Sequence, residues 1–528
     1  MIPLDPPDQG ARSDLPPNRM TPQMVVADST SNVLMRDGAL VNRPGMKQLT
    51  TNTVTGRPMG VQFFQISALS RIVVVGTTVG WYSLNQAVSP FTFTDLTGGT
   101  ALTGDGDNFV QFTVFPQGND MRLIGVNGHR NNVPKYWIGT GNYASLGGTP
   151  YAAQDVTTAA NRVLLFHTME TAVEYPFRVR HSDFNDSDTW PANNFADLSD
   201  TPDAIIAGKA LSRVSVGIYK EDTQWVGLAQ QGTFPFRYEL QDHKPGPVSP
   251  AAVVDADGRH FYLARDGSVY SFDGSRCTHI GEPNRRFILK NLNFDAKERT
   301  FGFYSRRDRM VYWFFPSVTT DDCDMGVSLH IDTGQFWPHA LKKTVACAAP
   351  WDYIAALTWG DLSAFTWTNL AATYATWGAM GSARTPVELL GGTGGLLYRF
   401  GGTDTDDDGT NFTAQWRFQN MQLGGPSRRF RLESMDSFFE KTSATQTVSL
   451  KVGTTDTAGL APTFPAELTD TFDIGTDNLH QTLYSTDSPG TGTGLPEARF
   501  TSVEHSLTSS TNWKWLGGHL RGYPMETE

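Results

Sequence analysis

The stretch Arg213-Val-Ser-Val-Gly-Ile-Tyr-Lys-Glu-Asp-Thr-Gln-Trp-Val-Gly-Leu228 constrains this chain more than any other, because it recurs. It reads as a strand of alternating apolar residues (Val214, Val216, Ile218), a charged turn (Lys220, Glu221, Asp222), and a second strand from Gln224. Period-two alternation rich in β-branched and aromatic residues is the signature of a hairpin. The same pattern begins at Arg71, Arg122, Arg162, Arg259 and Arg309, so the leading arginines stand 51, 40, 51, 46 and 50 positions apart. Strand-bearing repeats of that length predict a β-propeller, one four-stranded blade per repeat. Blades are expected at 57–97, 105–145, 152–200, 201–245, 246–295 and 296–342. The segment 343–402, with Trp351-Asp-Tyr, Ala356 to Trp367 and Gly395-Leu-Leu-Tyr-Arg-Phe400, supplies a seventh. The propeller thus has six or seven blades and spans 31–402. The aromatics of each repeat are read as core between blades.

Composition supports an all-β class. The chain has 528 residues, 51 Gly, 13 Trp and 32 Phe, and few amphipathic helical runs. Its formal charge of −12 disfavours a clamp on nucleic acid, which needs clustered Lys and Arg on phosphates. Three widely spaced cysteines, Cys277, Cys323 and Cys347, give neither a disulfide framework nor a metal knuckle and fit a reducing compartment. No signal peptide stands at the start, and no apolar run reaches the ~18–20 residues of a membrane span.

Residues 1–30 read as an extended, Pro-rich arm. Asn32 to Met46 reads as a hairpin leading into the first blade, with Arg43-Pro44-Gly45 as a turn. After the last blade, 403–409 is an acidic linker. Then 410–528, with the alternating strands Thr413 to Phe418, Thr447 to Val452 and Trp513 to Leu516, is a separate C-terminal β-sandwich or jelly-roll-like domain. Ser488 to Leu495 is a Gly/Thr-rich turn within it.

Chemistry is sparse. Asp404, Asp406 and Asp408 followed by Gly409 match the opening of an EF-hand loop and are the metal candidates. The twelfth position is Gln415, where such a loop needs a bidentate Glu, so a solvated linker with at most weak calcium binding is expected. Asp183 to Trp190 is similar to a degraded Asp-box, the hairpin staple of sialidase-type propellers, retaining only Thr189 and Trp190 of its pattern. The basic clusters Arg306-Arg-Asp-Arg309, Asn284-Arg-Arg286 and Arg428-Arg-Phe-Arg431 are assigned to ion pairs. Arg307, Arg309 and Arg43 are the candidates for subunit or partner contact. Gly391 to Gly395 lacks the strand–helix frame of a phosphate loop. No nucleophile elbow, His-x-x-x-His or Cys-x-x-Cys occurs, so neither catalysis nor a cofactor is expected.

Four stretches carry a resemblance: Leu40-Val-Asn-Arg-Pro-Gly-Met46; Pro202-Asp-Ala-Ile-Ile-Ala-Gly208 with the hairpin that follows; Arg309 to Phe314 with Ser328 to Trp337; and Trp513-Lys-Trp-Leu-Gly517. Together they resemble the packaged-DNA-stabilisation proteins, or tail hub and nozzle proteins, of short-tailed bacteriophages. The resemblance implies a virion structural protein without enzymatic activity. It implies a ring of copies, a hexamer, below the portal adaptor protein, extending the DNA conduit, retaining the genome and meeting a tail needle, fibre or tailspike. Packaged DNA would pass without tight binding, between subunits, and the chain alone would bind no membrane. Such a protein is made in the host bacterial cytoplasm and ends in the phage tail. The alternatives are a propeller glycosidase or lyase using Asp183, Asp186 and Asp188, and a sugar-binding tail-tip propeller, which would need exposed Trp residues.

Overall fold

The computed structural model describes the chain except residues 17–18, 67–70, 86–89, 130, 149, 233, 355–383, 402–403, 424–427, 441, 443–444, 458–460, 477–478, 484–496, 509–510 and 526–528. The segment Ala356 to Trp367 and the turn Ser488 to Leu495 therefore lie outside the described residues.

The repeats form a seven-bladed propeller. Five four-stranded antiparallel sheets follow one another between Pro58 and His279. A seven-stranded sheet then holds the last two blades, because one strand, Phe336–Ile354, serves both. Its first residues pair with Cys323–His330 as the outer strand of blade 6. Beyond a register shift it pairs from Val345 with Arg384–Gly392 as the inner strand of blade 7. That inner strand also packs against Pro58–Gln65 of blade 1, which closes the ring. The repeated arginines mark nearly the same place in six of the blades: Arg71, Arg162 and Arg259 open the second strand, Arg122 is its third residue in Asp120–Val126, and Arg213 and Arg309 stand in the turn before it. Second strands lie mid-sheet between neighbouring blades, so they are apolar on both faces, as in Met310–Pro316, which is buried throughout.

The outermost strand of blade 7 comes from far upstream. Met46–Gln48 pairs with Leu397–Phe400, Met46 opposite Phe400, and ties the two ends of the propeller together. The hairpin Val33–Arg36 and Ala39–Asn42, expected to lead into the first blade, instead joins the C-terminal domain, where Lys514 and Trp515 pair with Val41 and Leu40. The arm is likewise packed rather than simply extended. Ile2–Leu4 pairs with Leu520 to Gly518, Ala11–Arg12 runs parallel to Val25–Val26, and Leu4 and Ala11 are fully buried. The pattern of prolines hid this, because Pro is compatible with short edge strands.

The C-terminal domain is a sandwich. One sheet contains Phe430–Phe439 and Lys514–Pro524 with the upstream strands; the other is Thr413–Met421, Phe500–Thr508, Thr447–Thr455 and Thr469–Asp473. Between them Trp416 stacks on His505 with centroids 4.8 Å apart and on Trp513 at 5.4 Å, while Trp515 lies 5.4 Å away. Burial drives the His505 pKa down to about 3, so the ring is a neutral packing group at any working pH. Trp416→Ala would leave a void at the meeting point of both sheets. A loss of roughly 3–5 kcal/mol in denaturant unfolding of the sandwich is expected; an unchanged midpoint would show that the stack does not hold the sheets together.

Candidate functional site

Two places gather polar side chains: the propeller axis and the junction between propeller and sandwich. At the axis, inner strands surround a cavity of about 330 Å³ lined by Gln62, Gln111, Lys209, Asp255, Tyr304 and Pro350, among others. The Lys209 ammonium is 2.9 Å from the fully buried Asp155 and 2.7 Å from Gln111 Oε1. Asp155 also accepts the Gly208 and Val156 amides at 2.9 Å. Burial pushes its pKa up and Lys209 opposes the shift. These bonds fix three neighbouring blades to one another. Lys209 and Asp155 are thus taken up in holding the inner strands together.

The Asp-box-like loop lies away from that axis, between the third and fourth strands of blade 3. Asp183 is paired with Arg162, Asp188 with Arg122 of blade 2 at 2.7 Å, and Asp186 accepts from Thr189 and Gln117. Trp190 is buried and donates its indole N–H to Ser187 O at 2.9 Å. All three aspartates are thus held within the loop and its neighbours. Every tryptophan among the described residues is buried, so none presents a stacking face for a sugar.

At the junction, Arg43 corrects its assignment as a partner contact: it is completely buried. Its guanidinium meets both oxygens of the equally buried Asp407, at 2.9 and 2.6 Å. It also donates to Asn32 Oδ1 and to the carbonyls of Pro44 and Ala340, and lies 3.8 Å over the Phe412 ring. Asp407 in turn accepts the Lys342 amide at 2.8 Å, where the shared strand bends from blade 6 into blade 7. Gly45 lets the backbones meet, since a Cβ there would stand 2.3 Å from Asp406 O.

The acidic run is therefore not a solvated linker. Met46 donates its amide to Asp406 O and accepts from Asp408, so the run lies against the strand Met46–Gln48. The three metal candidates diverge. Asp404 is held bidentately by Arg399 at 2.9 Å, Asp406 accepts the Gly409 amide, and Asp408 accepts the Gln48 amide. Among the described residues no group of three His, Cys, Asp or Glu side chains converges as a metal site would.

Arg309 sits in a left-handed turn conformation (φ 53°) and is taken by Asp257 and Asp332 at 2.9 and 2.5 Å. Arg307 pairs with Asp308 at 3.0 Å. Asp308 is also reached from the sandwich hairpin by Arg36, at 2.7 Å, so this pair crosses the junction. Both candidate contact arginines are thus engaged within the chain. Reasoning from sequence missed Arg36, Asp308, Glu388 and Asp407. Only the dense acid run hinted at the last, and nothing singled out one carboxylate within it.

Glu388, buried in blade 7, faces the same cluster: a side chain at Gly401 would lie 3.5 Å from both its Oε2 and Arg307 Nη2. Burial pushes its pKa up to about 7, Asp308 adds to the shift and Arg307 opposes it. A raised acid pKa contributes stability below the ordinary value of 4.5 that is lost as pH rises through about 7. Glu388→Gln is expected to gain stability over wild type across that window, reaching about 3 kcal/mol at the upper end. Parallel pH curves for the two proteins in thermal melts would refute it. Asp407→Ala strands the buried Arg43 and is expected to cost roughly 3–5 kcal/mol. Asp406→Asn is expected to stay within about 0.5 kcal/mol when both variants are unfolded in urea.

No family model and no curated protein matches the chain. Solved structures that resemble it include the computationally designed Ika8 protein, with 13% identity over 67% of this chain and 99% of that one at a TM-score of 0.36. BamB from Moraxella catarrhalis has 10% identity over 70% and 93% at 0.35, and YCF48 from Cyanidioschyzon merolae 9% over 67% and 98% at 0.37. Likenesses this distant carry no functional argument; the propeller is read from its own seven blades. No helix among the described residues is long and apolar enough to cross a membrane.

Proposed function

We propose that this chain is a structural component of a short phage tail, forming the hub or nozzle ring that extends the DNA conduit below the portal adaptor. One observation carries the reading: the segment 33–48 completes both domains, joining the sandwich through Ala39–Asn42 and the propeller through Met46–Gln48. Two β domains interlocked in this way, with the Arg43–Asp407 pair buried between their elements, make a body that resists being pulled apart. A conduit wall under the pressure of packaged DNA needs that property. Further support comes from the four stretches that resemble tail hub proteins, and from polar clusters whose members bind one another rather than converge on a substrate position.

In this reading the copies form a hexameric ring, and the genome passes between subunits without tight binding. The net charge of −12, multiplied by the ring, keeps the conduit wall from adhering to phosphate. The adaptor lies above and a needle, fibre or tailspike below. The test is electron microscopy of the purified chain mixed with a short-tailed phage portal–adaptor complex. Six copies seated under the adaptor, with the passage along the ring axis, are expected. A chain that never joins the complex, or one that turns over polysaccharide, would refute the reading.

A further inference from the structure

A cavity of about 140 Å³ lies where the N-terminal arm, the helix Glu282–Asn291 and blade 6 meet. Ala27 and Thr30 line it from the arm, Phe287 from the helix, and Met325, Pro338 and His339 from blade 6. Two of these side chains carry a polar atom that finds no partner among the described residues: His339 Nδ1 and Thr30 Oγ1. Both are more than nine-tenths buried, at 1% and 3% exposure. A buried polar atom left unpaired is costly, so two at one small cavity call for a partner from outside the chain.

The proton positions follow from the neighbours. His339 Nε2 stands 2.8 Å from Ser328 Oγ, which is fully buried and has no other partner among the described residues. The hydroxyl therefore donates to Nε2, since the reverse arrangement would strand its proton. Burial, and after it the charge of Arg43, hold the His339 pKa well below the ordinary imidazole value. The ring is thus neutral, and its one proton sits on Nδ1, which makes that atom a donor. Thr30 Oγ1 can donate or accept. The exposed charges on the lining, Asp28 and Lys290, bind each other at 2.7 Å. Arg43 is likewise neutralised by Asp407.

These features exclude most ligands. A metal ion meets no lone pair at Nδ1–H, and a buried ion of either sign would lack a counter-charge. The walls formed by Phe287, Met325 and Pro338 are apolar, which suits a short hydrocarbon stem better than water alone. The volume is close to the roughly 150 Å³ that admits a benzene-sized molecule.

We propose that this cavity binds a small neutral primary carboxamide, whose carbonyl oxygen accepts from His339 Nδ1–H and whose amide N–H donates to Thr30 Oγ1. A molecule seated there ties the arm to blade 6, one residue from Ala340. The Ala340 carbonyl accepts from Arg43 and its amide donates to Asn32 Oδ1, so occupancy stabilises the joint between propeller and sandwich. The site does not depend on whether copies form a ring.

The experiment is titration of the full chain with acetamide, read by calorimetry and melting temperature, with acetate as the charged analogue. Acetamide is expected to bind saturably, half-complete at concentrations on the order of millimolar, and to raise the melting temperature. Acetate is expected to do neither. Thr30→Val removes no side-chain hydrogen bond that the chain itself makes, and its melting curve without ligand will establish that it folds. It is expected to bind acetamide about tenfold more weakly. A structure at saturating acetamide is expected to show the amide within hydrogen-bond distance of His339 Nδ1 and Thr30 Oγ1. The absence of saturable binding, ordered water alone in the cavity at saturation, unchanged affinity in Thr30→Val, or tighter binding of acetate would each overturn the proposal.

Discussion

The Arg43–Asp407 pair is where three parts of the molecule become one. Arg43 follows the sandwich hairpin and precedes the strand that closes the propeller; Asp407 precedes the first strand of the second sandwich sheet. Between them lies the bend at Lys342, where a single strand leaves blade 6 for blade 7. A fully buried ion pair need not exceed a well-packed apolar pair in stability, because two charges must be taken out of water. What it adds is direction. A guanidinium with its donors distributed over Asp407, Asn32 and two carbonyls accepts only one arrangement of these segments.

Around that pair the two domains use different physics. The propeller repeats one solution seven times, a doubly buried second strand wedged between blades, and it needs closure because its first and last blades are otherwise only packed together. Closure comes from Met46–Gln48, three residues whose ladder with Leu397–Phe400 replaces contact by hydrogen bonding. The sandwich relies instead on a few large rings, Trp416, Trp513 and Trp515, stacked across its middle. Ion pairs such as Arg122–Asp188 and Arg309–Asp257 link one blade to the next at the rim.

Much of this was legible in the sequence, and the reason is periodicity. Arg71, Arg162 and Arg259 mark the same point of successive blades because each precedes an apolar run that has to lie between two sheets. Local patterns of that kind survive in one dimension. The junction does not, since Arg43 and Asp407 stand 364 positions apart and neither has an unusual neighbourhood. Asp407 was hidden among Asp404, Asp406 and Asp408, where backbone pairing with Met46, not composition, decides which carboxylate turns inward. Arg309 looked available for a partner because its acids, Asp257 and Asp332, come from other turns. The hairpin at 33–42 was assigned to the wrong domain for the same reason: a strand's own residues do not say which edge it will join.

The shared upstream segment also governs the order in which the molecule can be made. Residues 2–4, 33–42 and 46–48 leave the ribosome early, yet their partners are residues 518–520, 514–515 and 398–400. The propeller cannot close before residues 398–400 are made, nor the sandwich before 514–520 are, so folding runs through contacts of very long sequence separation and is slow. A chain broken off before the last strand leaves the sandwich unbuilt and the segment beside the propeller's closing strand unanchored. Incomplete products would therefore fail as whole molecules, and a ring assembled from finished copies would exclude them without any separate inspection step.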